Sequence, residues 1–253
     1  MKEIINAHVH LGEDVVFDES CDEAELLTSE KYGVSRSIVQ PFICRPYIED
    51  TRAAHDRIAA LCAAHPGRFY GMASVNPHFR PQDYAEEVTR CVKQLGFVGV
   101  KITPVAHAAD PQSRDVAFAC EVARSLNVPM MIHTGSGVPF SDPFRLLRLA
   151  QSFPQLTFVV AHAGTDMFFS QALYLAQECE NVFLEPSWLS ILCLRTALKK
   201  LGAAKVMFSS DHVVNIPVEL AKYNTLLEND PASLAQALGG TARAVFLLGE
   251  EKA

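Results

Sequence analysis

His8 and His10 stand one residue apart in the opening run EIINAHVH. In a strand, residues i and i+2 share a face, so both imidazoles would point the same way and could grip one metal ion. The pair alone is weak evidence, because a chain with 9 His produces roughly 0.3 such pairs by chance. Position strengthens it. His133 ends the apolar run MMIH, His162 ends VVAH and Asp211 ends VMFSSD. A glycine two residues after each of His10, His133 and His162 (Gly12, Gly135, Gly164) lets the chain turn away sharply. A single His at a strand end is ordinarily a satisfied core residue. Five such groups gathered at strand ends are another matter, since burying them together without a cation leaves polar atoms unpaired at a cost of several kcal/mol. Three imidazoles and a carboxylate (His8, His10, His133, Asp211) make a divalent-metal site, and His162 stands beside it as a fourth imidazole. Zinc is the first expectation for three His and one Asp, with manganese or another divalent ion also admitted.

These residues need elements that bring their ends together. Eight apolar runs, near residues 3, 34, 68, 97, 128, 156, 181 and 204, are rich in Val, Ile, Phe and Met, and several lack polar alternation. Strands buried on both faces read that way. Helical stretches lie between them: 51–65, 81–95, 111–126, 142–153, 166–179, 188–201, 217–227 and 231–248. Pro81 opens one and Gly96 follows it, the expected asymmetry. Asp142 and Asp166 are placed to cap two others. Eight strand–helix units predict a (β/α)8 barrel, an α/β fold in one domain over residues 1–253, with the site at the strands' C-terminal ends. The competing doubly wound sheet wants a GxGxxG turn, and HTGSGVP (133–139) holds only two of its glycines.

The composition agrees with a folded globular protein: 253 residues, 49% hydrophobic and 20% charged. A net charge of −7 argues against broad nucleic-acid or anionic-membrane binding. The seven cysteines (Cys21, Cys44, Cys62, Cys91, Cys120, Cys179, Cys193) include no CxxC pair and read as reduced thiols. With no apolar signal region at the start and no membrane-length run, a cytoplasmic location is the expectation, and a homo-oligomer is allowed.

The HVH pair, the two later strand-end His, the strand-eight Asp and GFVGVKITP (96–104) together resemble the amidohydrolase superfamily, most closely its amidohydrolase-related branch, which includes aminocarboxymuconate-semialdehyde decarboxylase. The resemblance runs from His8 to about Pro217. It implies that His8, His10, His133 and Asp211 ligate one metal, that His162 orients or activates the metal-bound water or polarises the substrate, and that Asp211 also shuttles a proton. A divalent ion lowers the pKa of water it holds toward ~7. Lys101 occupies the strand-four position whose carboxylated form bridges two metals in binuclear relatives, although one metal is favoured here; its ordinary reading is a salt bridge at the barrel mouth. Thr103 and His212 depart from the family pattern, which bears on substrate rather than metal.

The resulting expectation is a hydrolase of a small, carboxylated ester, lactone or amide. A nonoxidative decarboxylase or lyase on the same site is the alternative, and a non-catalytic scaffold is disfavoured by the extra imidazole. A small anionic substrate would need a local cation against the −7 background, and Arg45 after the second strand is positioned to supply it, with Lys101 and Trp188 completing the pocket. His78, Glu185 and His107 carry more ordinary readings as loop or packing residues, and His55 and His65 as solvent-facing helix residues.

Overall fold

A computed structural model describes residues 3–137 and 139–249. Strand β1 (Ile5–Glu13) pairs antiparallel with the short β2 (Ser20–Cys21) on one side and parallel with β3 (Arg36–Pro41) on the other. The parallel order continues through β4 (Phe69–Ser74), β5 (Gly99–Ile102), β6 (Met130–His133), β7 (Phe158–Ala161) and β8 (Val182–Glu185). Helices on the outer face include Ile48–Ala64, Pro81–Lys93, Arg114–Ser125, Thr165–Glu178, Ile191–Leu201 and Ile216–Leu226. The arrangement is the (β/α)8 barrel expected from the sequence.

The eighth barrel position differs from expectation. The run 206–211 forms no ladder; it closes the ring through two isolated bridges, Leu184 to Val206 and Val9 to Asp211. Met207 N–H donates to Leu184 O at 3.0 Å, and Phe208 O accepts from Ala7 N–H at 3.0 Å. The Phe208 N–H turns instead to Ala237 O at 2.8 Å, which draws the run toward the C-terminal segment. The Asn6 side chain fills the gap, donating to Ser210 Oγ at 2.7 Å and accepting from Ser210 N–H at 3.0 Å.

Two apolar layers divide the core. Val100, Ile102, Ile132, Val160 and Leu184 face the helices, while Ile38, Met72, Met131, Val159 and Met207 fill the barrel interior. Ala242, Val245 and Phe246 plug the interior from below. Because strand side chains alternate, the residues two places on from several interior positions, such as His133 after Met131, line the floor of the site above. On β1 the register shifts between Asn6 and Val9. Ile5 and Ala7 belong to the interior layer, yet His8 and His10 also reach the site, the re-aiming that such an irregularity provides.

Several local expectations are corrected. Asp142 precedes the short turn Pro143–Leu146 without a side-chain cap bond and pairs instead with Arg145. Asp166 lies inside its helix and accepts from Ser190 N–H at 3.0 Å. His55 is fully buried rather than solvent-facing, because its Nδ1 bonds Glu87 at 2.7 Å and its Nε2 accepts from Ser74 N–H at 2.9 Å. The seven thiols are free. Among the described residues, no helix is long and apolar enough to cross a membrane.

Candidate metal centre

Three acceptor atoms converge at the top of the barrel. His8 Nε2 and His10 Nε2 lie 3.0 Å apart, and each is 3.2 Å from Asp211 Oδ1. The tautomers follow from the outer contacts. His8 Nδ1 faces Glu185 Oε2 at 2.7 Å and His10 Nδ1 faces the Pro41 carbonyl at 3.2 Å; both partners only accept, so both Nδ1 atoms carry the proton and both Nε2 atoms are bare. Bare lone pairs and a carboxylate oxygen so close together repel unless positive charge lies beside them, as the Lys101 ammonium does 3.0 Å from His8 Nε2 and as a divalent ion among all three would. Donors of a tetrahedral site with bonds of ~2.0–2.2 Å are separated by roughly 3.3 Å, close to this spacing. The residues therefore fit a divalent ion, on their own geometry.

The electrostatics hold the ligand-ready forms. Burial, with Lys101 nearby, lowers His8 to about 3, so the ring is neutral. Burial raises the Asp211 carboxyl, but the coulombic pull of His8 and His162, which those rings exert only when protonated, outweighs that and takes it well below the usual range, so the carboxyl gives up its proton before the rings do. Glu185 behaves likewise: burial raises it, and His8 more than compensates. Glu185 also accepts from Ser187 N–H at 2.8 Å, from His162 N–H at 3.1 Å and from the Ser209 hydroxyl.

His162 stands next to this trio. Donor atoms of His8, His162 and Asp211 all lie within 4.8 Å of one another, and His162 Nδ1 bonds Ser187 Oγ at 2.8 Å. His133 lines the same cavity and packs edge-on to His162, with ring centroids 4.8 Å apart. Its Nε2 donates to Ser136 O at 2.8 Å, and its nitrogens do not join that close group. Lys101 is buried at the cavity floor with Nζ 3.0 Å from His8 Nε2, and burial lowers it to about 8. Trp188 is 51% exposed on the cavity wall, and its indole N–H donates to Asp211 Oδ2 at 2.8 Å. The cavity is about 270 Å³, and Phe17, Phe42 and Ile43 line it with these groups.

Arg45 is a correction. It is exposed at the end of the loop after β3 and does not line the cavity; the local cation is Lys101. His78 bonds Asp115 at 2.6 Å on the surface, and His107 is buried against Thr103 N–H, neither in the cavity. Sequence reasoning gave Glu185 only a packing role, although its place at the end of β8, level with the other strand-end groups, was the available signal.

The comparisons bear on the reaction. The gamma-resorcylate decarboxylase of Polaromonas sp. (strain JS666 / ATCC BAA-500) is 35% identical over 97 residues, 36% of this chain and 29% of that protein. That of Rhizobium sp. (strain MTP-10005) is 36% identical over 104 residues, 38% and 31%. The matched stretch thus spans about a third of these curated relatives. Among solved structures, a dihydroxybenzoic acid decarboxylase from Polaromonas sp. JS666, with bound manganese and the inhibitor 2-nitroresorcinol, superposes with a TM-score of 0.82 at 19% identity, covering 100% of this chain and 99% of that one. The 2,6-dihydroxybenzoate decarboxylase from Rhizobium gives 0.79 at 20% identity, covering 98% and 99%. At such identities the structures establish the fold. The expectation of hydrolysis is overturned by these relatives, which are decarboxylases, and the zinc expected from the ligand set is not the ion of the Polaromonas structure. The family profile described as Amidohydrolase matches residues 5–248, nearly the whole described chain, and the protein therefore belongs to the amidohydrolase superfamily of enzymes, on the branch that contains these decarboxylases.

Proposed function

We propose that the protein is a metal-dependent, nonoxidative decarboxylase of a small hydroxylated aromatic carboxylate, with manganese the favoured ion. The observation that carries this reading is the acceptor trio of His8, His10 and Asp211 on the floor of an aromatic-walled cavity, in a chain whose curated relatives are decarboxylases. His8, His10 and Asp211 would hold the ion, with His133 as the further ligand implied by the family pattern. When bound, the ion supplies positive charge that polarises the substrate's oxygen atoms. The side chains of Phe17, Phe42 and Trp188 offer flat apolar surface for a ring. Lys101, itself buried at the cavity floor, would supply the counter-charge for the carboxylate. In the reaction the bond between ring carbon and carboxyl carbon breaks, CO2 leaves, and the ring carbon takes a proton. Asp211 is the proposed carrier of that proton, taking it from an acidic hydroxyl of the incoming substrate and delivering it to carbon. His162, fixed by Ser187, orients the substrate for that transfer.

The test is an incubation of manganese-loaded protein with 2,6-dihydroxybenzoate and a panel of hydroxylated benzoates in D2O. The expected result is one CO2 per ring product, with deuterium on the vacated carbon. If the loaded protein releases no CO2 from any member of the panel, the proposal fails.

A further inference from the structure

Trp188 is the only tryptophan of the chain, and its backbone has a positive φ of 68°. Such a conformation is strained in a bulky residue and persists only where the surroundings enforce it. Asp211, its hydrogen-bond partner, has a positive φ of 65° as well. Both turns are tied to one helix, Ile216–Leu226. Glu219 of that helix is buried, and its Oε1 accepts from Trp188 N–H at 2.9 Å and from Asn215 Nδ2 at 3.1 Å. Asn215 Nδ2 also donates to Ser210 O, next to Asp211, at 3.1 Å. Lys222, one turn on, pairs with Glu219 at 2.6 Å and donates to Leu189 O at 2.7 Å, so the 186–189 turn is gripped on both sides.

The consequence falls on the Asp211 carboxylate. Its Oδ2 is held by the indole N–H, and this leaves Oδ1 facing His8 and His10. We infer that Trp188 is a positioning residue for Asp211, and that Glu219 is the buried clamp that fixes the indole and the Asp211 turn together, so that the carboxylate presents one chosen oxygen to a divalent ion. The inference rests on the divalent-ion part of the proposed function and not on the reaction. Free rotation of the carboxylate would scatter its charge over several orientations, whereas a hydrogen bond to its second oxygen keeps the ligand aimed.

The experiment uses Mn2+ alone. Wild type, Trp188→Phe, Glu219→Gln and Glu219→Leu are titrated by calorimetry, and the wild-type and Glu219 proteins also by indole fluorescence. Wild-type emission should be quenched as the paramagnetic ion fills the site. Trp188→Phe keeps an aromatic ring and loses the donor; at this half-exposed position it should fold, and its Kd for Mn2+ should rise about tenfold, the lower end for losing a ligand's outer hydrogen bond. Glu219→Leu should shift the emission to longer wavelength and raise Kd similarly, while Glu219→Gln, which keeps the acceptor oxygen, should stay near wild type in both. A wild-type Kd in Trp188→Phe overturns the inference even if Glu219→Leu does not fold. A wild type that binds no Mn2+ overturns the metal reading, and the inference with it; a wild type that binds Mn2+ but releases no CO2 removes only the reaction.

Discussion

Glu185 lies wholly inside the protein, and its Oε2 accepts the hydrogen bond of His8 Nδ1–H, which keeps the proton on Nδ1 and leaves Nε2 bare for a ligand role. Replacing it with Gln should weaken Mn2+ binding by roughly 10–100-fold, the usual cost of losing a carboxylate behind a metal-binding His. Calorimetric titration reads this directly, and an unchanged Kd would show that His8 keeps its tautomer without help. His162→Asn should leave manganese content near normal and cut turnover by roughly 10²-fold, the order that a misplaced substrate costs. Elemental analysis beside a CO2-release assay separates the two effects. His8, His10, His162 and Asp211 were legible as sequence because each sits where an apolar run ends, and strand ends in a barrel converge. Glu185 was not, because its partner lies 177 positions away and a Glu after a strand has several ordinary readings. Arg45 misled for a related reason: proximity to a strand end says nothing of which way a loop residue points, and this one points to solvent.

At the level of elements, the seven parallel strands were readable from apolar runs, and the eighth was readable only in part. VMFSSD has the composition of a strand, but whether its N–H groups enter a ladder depends on a competitor, Ala237 O, that composition does not reveal. The register shift in β1 was equally hidden, since strict alternation from Ile5 and Ala7 would send His8 outward. Asn6 carries much of the load where the ladder is missing. Asn6→Ala removes both side-chain bonds to Ser210 and leaves a buried N–H unpaired, so it should cost about 1–3 kcal/mol of stability. Urea denaturation measures that loss, and a midpoint equal to wild type would mean that the closing run needs no such support.

For the molecule as a whole, buried groups away from the ion predict acid sensitivity. Burial, with Lys101 and His78 nearby, lowers His107 from 6.5 to about 4. Between those values the unfolded chain binds a proton there and the native one does not, so stability present above about pH 6.5 is lost as pH falls through that window. Burial raises Glu87, but hydrogen bonds from His55 and Arg90 outweigh it and hold it at about 2, which extends the loss from about pH 4.5 downward. Thermal melts in metal-free buffer should show Tm falling steadily below pH 6.5, and a flat profile down to pH 4.5 would contradict the neutral, buried His107. The seam between β1 and the run 206–211 carries a wider implication. His8 and His10 stand on one side of it and Asp211 on the other, across one of the two junctions of the barrel that are held by an isolated bridge in place of a regular ladder. An ion held by all three is thus a rivet through the joint of the ring, and the breathing of that joint becomes a function of cation concentration. Amide hydrogen exchange at Ala7, Ser210 and Asp211 should slow on adding Mn2+ while exchange in β6 and β7 stays as it was. The same amino acids that ready the chemistry would then decide how often the barrel opens.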